Sequence, residues 1–176
     1  ALQYTGGGQF FLNLAFSLLG YVRGGPAKVA IFASGLMGSM SGSVITNVLT
    51  TGALSIPAMK RIGFKPHVAG GVEACASTGG VLMPPIMGAT AFIMAINLEV
   101  PYRDIVVAAV IPSVLYFFAL FMQIDGYAAK NKLEGLPKIE LPTVSQTLKD
   151  GWYYVAVFAL LIYLLVFMQR EAQAPF

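Results

Sequence analysis

Ser41, Ser43, Asn47, Thr78, Gly79 and Gly80 place hydroxyl, amide and main-chain oxygens inside sequence that is otherwise apolar. Hard neutral oxygens of this kind suit a sodium ion. Half-helix C-termini turn partial negative charge toward a cation, and half-helix N-termini can hold an anionic carboxylate, so one constellation can bind both. Glu73 is the one acidic residue well inside an apolar run. An intramembrane carboxylate is a functional position by default, with proton relay its obvious role. The competing expectation puts Glu73 in a shallow polar cleft near Lys65 or His67, and Ser34, Gly38 and Gly42 in a small-residue face that needs no ligand.

Bond-making chemistry finds less support. His67 follows Pro66 in a basic stretch outside the apolar segments, and no base is placed beside Ser41 or Ser43, so no hydrolase and no catalytic residue is expected. One cysteine, Cys75, and one histidine are too few for a disulfide or a soft-metal site. Gly6-Gly7-Gly8 lacks the Lys-Ser/Thr continuation of a phosphate loop. No organic cofactor is implied.

The elements that must position these residues are set by composition. Of 176 residues, 57% are hydrophobic and 11% charged, where a soluble domain has about 25% charged. The net charge of +3 is dispersed at the ends of apolar segments rather than gathered on one face, which argues against nucleic acid and for the positive-inside rule. Apolar regions run over Gln9–Val22, Ala27–Met59, Val68–Leu98, Ile105–Ile124 and Trp152–Met168. The fold class expected is an all-α polytopic membrane protein.

Ile105–Ile124 and Trp152–Met168 read as simple spans, the first bent at Pro112 and the second with interfacial Trp152-Tyr153-Tyr154 at its start. Ala27–Met59 is too long for one helix and is interrupted at Ser41-Gly42-Ser43. Each arm then reaches only about 22 Å, short of the roughly 30 Å of a bilayer core, so a re-entrant hairpin is expected. Arg23 and Lys28 precede it and Lys60, Arg61 and Lys65 follow it, and one crossing would separate two groups that both belong in the cytoplasm. The same topology puts Lys130, Lys132, Lys138 and Lys149 inside and leaves Arg103 and Arg170 outside. Val68–Leu98 is itself expected to break, because Ser77-Thr78-Gly79-Gly80 and Pro84-Pro85 cannot carry one helix through a bilayer. Met83 lies close enough to that break to touch a solute.

The expected organisation is therefore a membrane helix with its connector over 1–25, the hairpin opening to the cytoplasm over 26–59, and a basic loop with a broken transmembrane helix over 60–98. A transmembrane helix over 99–125, a cytoplasmic loop over 126–150, and a transmembrane helix with a periplasmic end over 151–176 complete it. A start at Ala1, without initiator Met or signal peptide, leads us to expect a portion of something longer.

The stretch GGPAKVAIFASGLMGSMSGSVITNVLTTGALSIPAMKRIGF, followed by GGVEACASTGGVLMPPIMGATAFIMA, resembles the large membrane subunit of the tripartite ATP-independent periplasmic (TRAP) transporters. ASTGG and MPPIMGA look most like the fused four-plus-twelve-helix permeases that work with TAXI-type binding proteins. The resemblance implies an elevator-type carrier of inverted repeats in the cytoplasmic (inner) membrane. It imports a small organic acid delivered by a periplasmic binding protein, with sodium as coupling ion. It maps Ser41, Gly42, Ser43 and Asn47 to the first hairpin tip and Thr78, Gly79 and Gly80 to the partner break, where main-chain carbonyls would hold an ion. The solute would lie against both, at Ser43, Asn47, Ser77, Thr78, Met83 and Pro84. The partners implied are the remaining half of the permease and its small-subunit helices. Two departures stand out. Ile86 follows Pro84-Pro85 where many dicarboxylate and sialic acid permeases have Ser, and Glu73 stands in a helix often uncharged in sodium-driven relatives, which makes the proton the alternative ion. The competing class is a channel or a structural membrane subunit without coupled transport.

Overall fold

A computed structural model describes residues 6–137, 139 and 141–166. Lys138, Arg170 and the end of the last apolar run at Met168 lie outside the described residues. The chain folds into α1 (Gly7–Leu19), α2 (Gly25–Ser41), α3 (Val44–Arg61), α4 (Pro66–Gly80), α5 (Ala89–Leu98), α6 (Tyr102–Lys130) and α7 (Val144–Val166). No strand occurs among the described residues.

α2 and α3 form a helical hairpin whose turn is two residues long. Gly42 ends α2 with φ of 60°, a left-handed conformation that suits glycine. Ser43 is extended and caps α3, its hydroxyl accepting from the Thr46 amide at 3.4 Å. At about 1.5 Å per residue the 17 residues of α2 and the 18 of α3 span about 25 and 27 Å. α2 is the central element, packed on α1, α3, α4 and α6.

The close approach of α2 and α4 has a specific cause. A Cβ on Gly38 would stand 2.5 Å from the Gly80 Cα, and one on Gly80 would stand 2.6 Å from the Ser34 carbonyl oxygen and 2.8 Å from the Gly38 Cα. The two backbones touch where neither has a side chain. This corrects the expected position of the break. Ser77, Thr78, Gly79 and Gly80 form the last turn of α4 instead of unwinding it, and the non-helical link runs over 81–88. The glycines serve close packing: Gly80 against α2, and Gly79 under the Tyr116 ring of α6. The helix stops because Pro84 and Pro85, joined by a cis peptide, follow one turn later.

α6 is the one described helix long and apolar enough to cross a membrane. Pro112 lies inside it without ending it. The second expected simple span is altered, since α7 begins before Trp152, at Val144, and changes direction at Gly151, where φ is −142°. Gly151 sits directly under the Phe10 ring, where a Cβ would clash, and Tyr154 packs 5.3 Å from that ring.

One end of the molecule gathers the basic segments. Asp125, near the end of α6, pairs with both Arg23 and Lys28. The Lys28 ammonium also lies 4.8 Å from the Phe121 ring centroid. Ala27, Met59, Phe64, Ala69, Ala128 and Leu133 share one apolar cluster. The start of α2 and the end of α3 therefore sit together beside the end of α6.

The glycine contact is testable by substitution. Gly80→Ala must push α2 and α4 apart through backbone atoms, so thermal unfolding in detergent should show a loss of about 1–3 kcal/mol. Unchanged stability would mean that the two helices are not in contact there.

Candidate functional site

The hairpin turn meets the link that follows α4. The Ile86 amide donates to the Ser39 carbonyl at 3.1 Å, and a Cβ on Gly42 would collide with the Met87 carbonyl. From the far side the Tyr102 hydroxyl reaches the carbonyls of Pro85 at 3.1 Å and Ile86 at 2.5 Å, with its ring stacked on Phe92 at 4.3 Å. The first turn of α6 thus holds the link against the hairpin.

Asn47 lies inside this junction, fully buried, in the second turn of α3. Its Nδ2 donates to the Ser34 carbonyl at 2.9 Å. A flipped amide would set oxygen against oxygen, so the orientation is fixed. Its Oδ1 is a fully buried acceptor with no partner. Such an orphan costs about 1–3 kcal/mol and calls for an explanation.

The other expected site residues divide. Ser41 is exposed, and its hydroxyl accepts from the Ser43 amide at 3.5 Å. Ser43 and Gly42 are engaged in the turn itself, as cap and left-handed residue. Thr78 is exposed and donates back to the Ala74 carbonyl at 2.8 Å, so its hydroxyl is committed to its own helix. The carbonyls expected to be free at the break are also occupied: Gly79 accepts from the Leu82 amide at 3.0 Å and Gly80 from the Met83 amide at 3.3 Å. Gly79 accepts from the Val81 amide as well. Met83 turns toward α6 and lines an apolar cleft of about 310 Å³ with Leu36, Phe117 and Phe118, away from Asn47. Pro84 is half-buried in the link. Ser77 is buried and faces Glu73.

Glu73 is fully buried, which overturns the expectation of a shallow cleft near Lys65 or His67. Both of those residues are exposed. Its carboxyl is met by hydroxyls from three helices. Ser34 of α2 donates to Oε1 at 3.1 Å and Ser77 of α4 at 3.2 Å, Thr51 of α3 also donates to Oε1, and Ser55 of α3 donates to Oε2. Gly52 leaves the room: a Cβ there would stand 3.1 Å from the Glu73 Cγ. A carboxyl held by neutral hydroxyls ties the hairpin's two arms to α4.

Thr51, Ser55, Tyr102 and Asp125 escaped the sequence reading, and Ser34 entered it only as a packing residue. A signal existed for two of them. Asn47, Thr51 and Ser55 recur at four-residue spacing along α3, as Glu73 and Ser77 do along α4, and that spacing puts each set on one helix face. Tyr102 and Asp125 left no comparable local pattern.

A sequence model described as "Tripartite ATP-independent periplasmic transporter, DctM component" matches residues 1–176. The chain is 30% identical over 142 residues to the C4-dicarboxylate TRAP transporter large permease protein DctM of Pseudomonas aeruginosa, covering 80% of this chain and 33% of that protein. It is also 30% identical over 162 residues to the sialic acid TRAP transporter permease protein SiaT of Haemophilus influenzae, covering 92% of this chain and 26% of that protein. The isethionate TRAP transporter permease protein DctMQ of Oleidesulfovibrio alaskensis matches at 28% over 125 residues, 70% of this chain and 19% of that protein. The chain thus spans no more than about a third of the length of these relatives. With the family model matched from end to end, the chain belongs to the DctM component of the tripartite ATP-independent periplasmic transporters.

Proposed function

We propose that this chain is part of the permease of an ion-gradient-driven, binding-protein-dependent secondary transporter that imports a small organic acid by an elevator mechanism. In this reading α2 and α3 are a re-entrant hairpin opening to the cytoplasm of an inner-membrane protein, and α4, the link and α5 are the broken helix opposite it. Two hairpins and two broken helices are needed to enclose a midplane site in an inverted-repeat carrier, so this chain supplies one half. The remaining half and small-subunit helices supply the rest, and a TAXI-type periplasmic protein delivers the solute to a fused permease. C4-dicarboxylates and sialic acid, named for two relatives, both carry carboxylates, which supports an organic acid as solute.

The observation that carries the reading is the Asn47 Oδ1. A buried acceptor with no partner, on an amide whose Nδ2 meets the Ser34 carbonyl beside the Gly38–Gly80 contact, suits a sodium ion, and Ser41, Gly42, Ser43, Thr78, Gly79 and Gly80 are the further oxygen donors we assign to it. The solute then lies against Ser43, Asn47 and Thr78, with Pro84 on the link side, while Ser77, buried against Glu73, and Met83, turned toward α6, stand outside that contact. The shortness of the arms and the gathering of Arg23, Lys28, Lys60 and Arg61 at one end of the molecule support the re-entrant placement.

One observation favours a second ion. Glu73 is a buried carboxyl whose partners are all hydroxyls, an arrangement that can take up and release a proton without losing its neighbours.

The deciding experiment is solute uptake by the full-length permease with its binding protein, in vesicles under imposed ion gradients. Uptake should saturate and should collapse when the sodium gradient is dissipated. Uptake indifferent to both the sodium and the proton gradient would refute the carrier. Asn47→Ala should raise the sodium concentration for half-maximal uptake about tenfold, the equivalent of one lost charge-assisted contact, and an unchanged requirement would remove Asn47 from the site. If the proton is the coupling ion, Glu73→Gln should flatten the pH profile of uptake, and a profile matching the wild type's would leave Glu73 a packing residue.

A further inference from the structure

The orientation of the Asn47 amide is set by the Ser34 main-chain carbonyl, and the hydroxyls of Ser34 and Thr51 tie that stretch of α2 to α3 and to Glu73. Ser34 accepts the Asn47 Nδ2 through its carbonyl at 2.9 Å and reaches Glu73 Oε1 through its hydroxyl at 3.1 Å. Thr51 contacts the Asn47 carbonyl through its hydroxyl at 2.8 Å, lies 3.0 Å from the Ser34 hydroxyl, and also reaches Glu73 Oε1. Thr51 has one hydroxyl hydrogen and faces two acceptors, and Ser34 is in the same position between Glu73 Oε1 and the Thr51 oxygen. A change at any member therefore redistributes the hydrogens of the others. Asn47, Ser34, Thr51, Ser55, Ser77 and Glu73 are all fully buried, so no water competes for these bonds. Charged and titratable groups on the surrounding elements do not join in: Lys28 is paired with Asp125, Cys75 and His67 are exposed, and the Tyr116 hydroxyl donates to the Cys75 carbonyl.

We infer that Ser34 and Thr51 are positioning residues that aim the Asn47 Oδ1, with Glu73 as their common anchor, so that the carboxyl and the ion site are one hydrogen-bonded unit. This rests on the reading of Asn47 as a sodium ligand. It goes beyond that reading by assigning the aim of the ligand to two residues that do not touch the ion. Removing either hydroxyl loosens the hold of α2 on α3 and Glu73 and shifts the Ser34 carbonyl that the Asn47 amide meets.

The test is the sodium concentration for half-maximal uptake by the full-length permease with its binding protein, normalised to the amount of protein inserted. Thr51→Val, which keeps the shape and removes the hydroxyl, and Ser34→Ala, which keeps the carbonyl, should each raise it roughly three- to tenfold. The solute concentration for half-maximal uptake at saturating sodium should stay put. Thr51→Ser should restore the wild-type requirement. A lower inserted amount or maximal rate with an unchanged sodium requirement in both variants would show a merely structural role and overturn the inference. Asn47→Ala separates the two levels. If it shifts the sodium requirement while Thr51→Val and Ser34→Ala do not, the positioning role alone fails, and if it does not shift it, the sodium site fails with it.

Discussion

The architecture depends on the contact of two backbones at Gly38 and Gly80. With no side chain on either residue, α2 and α4 meet at van der Waals distance, and the space left at that contact admits the Asn47 side chain of α3 beside it. The Ser34 carbonyl comes within reach of the Asn47 amide, and the Ser34 hydroxyl within reach of Glu73. The hairpin turn drops onto the link at Met87. Small residues perform this role in membranes because lipid offers helices no hydrophobic reason to associate, and close approach with interhelical hydrogen bonds must supply it.

Glu73 completes the arrangement by joining three helices through one side chain. A carboxyl in an apolar interior without donors would cost several kcal/mol. The hydroxyls of Ser34, Thr51, Ser55 and Ser77 offset that cost, and among the described residues no cation is paired with it, which distinguishes Glu73 from Asp125, pinned between Arg23 and Lys28 at the molecule's basic end. The two acidic residues thus fasten different joints. Asp125 holds the end of α6 to the start of α2, and Glu73 holds both hairpin arms to the helix that breaks.

Much of this was legible in the sequence because glycine, proline and charge mark local events. Ser41-Gly42-Ser43 announced the turn, and Gly42 and Ser43 occupy the positions a left-handed residue and an N-cap require. Pro84-Pro85 announced the link. What local reading mistook was the purpose of Gly79 and Gly80, since a glycine that loosens a helix and a glycine that admits a neighbour look alike until the neighbour is known. Thr78, whose hydroxyl returns to its own helix, was likewise indistinguishable from one aimed at a ligand. The partners of Glu73 come from positions 34, 51, 55 and 77, and only the α3 and α4 spacings hinted that they share faces. The grip of Tyr102 on the link spans more than a dozen residues and leaves no periodic trace.

The functional account turns on the hairpin doubling back inside the membrane, since a solute site at its tip requires both arms to open on one side. Arg23 and Lys60 are exposed and flank the two arms. The most direct measurement is labelling of single cysteines at these positions by a membrane-impermeant reagent, in full-length permease with Cys75 and any other cysteine replaced. Both should react from the cytoplasmic side. Reaction from opposite sides would mean that the chain crosses between them, and would contradict the account.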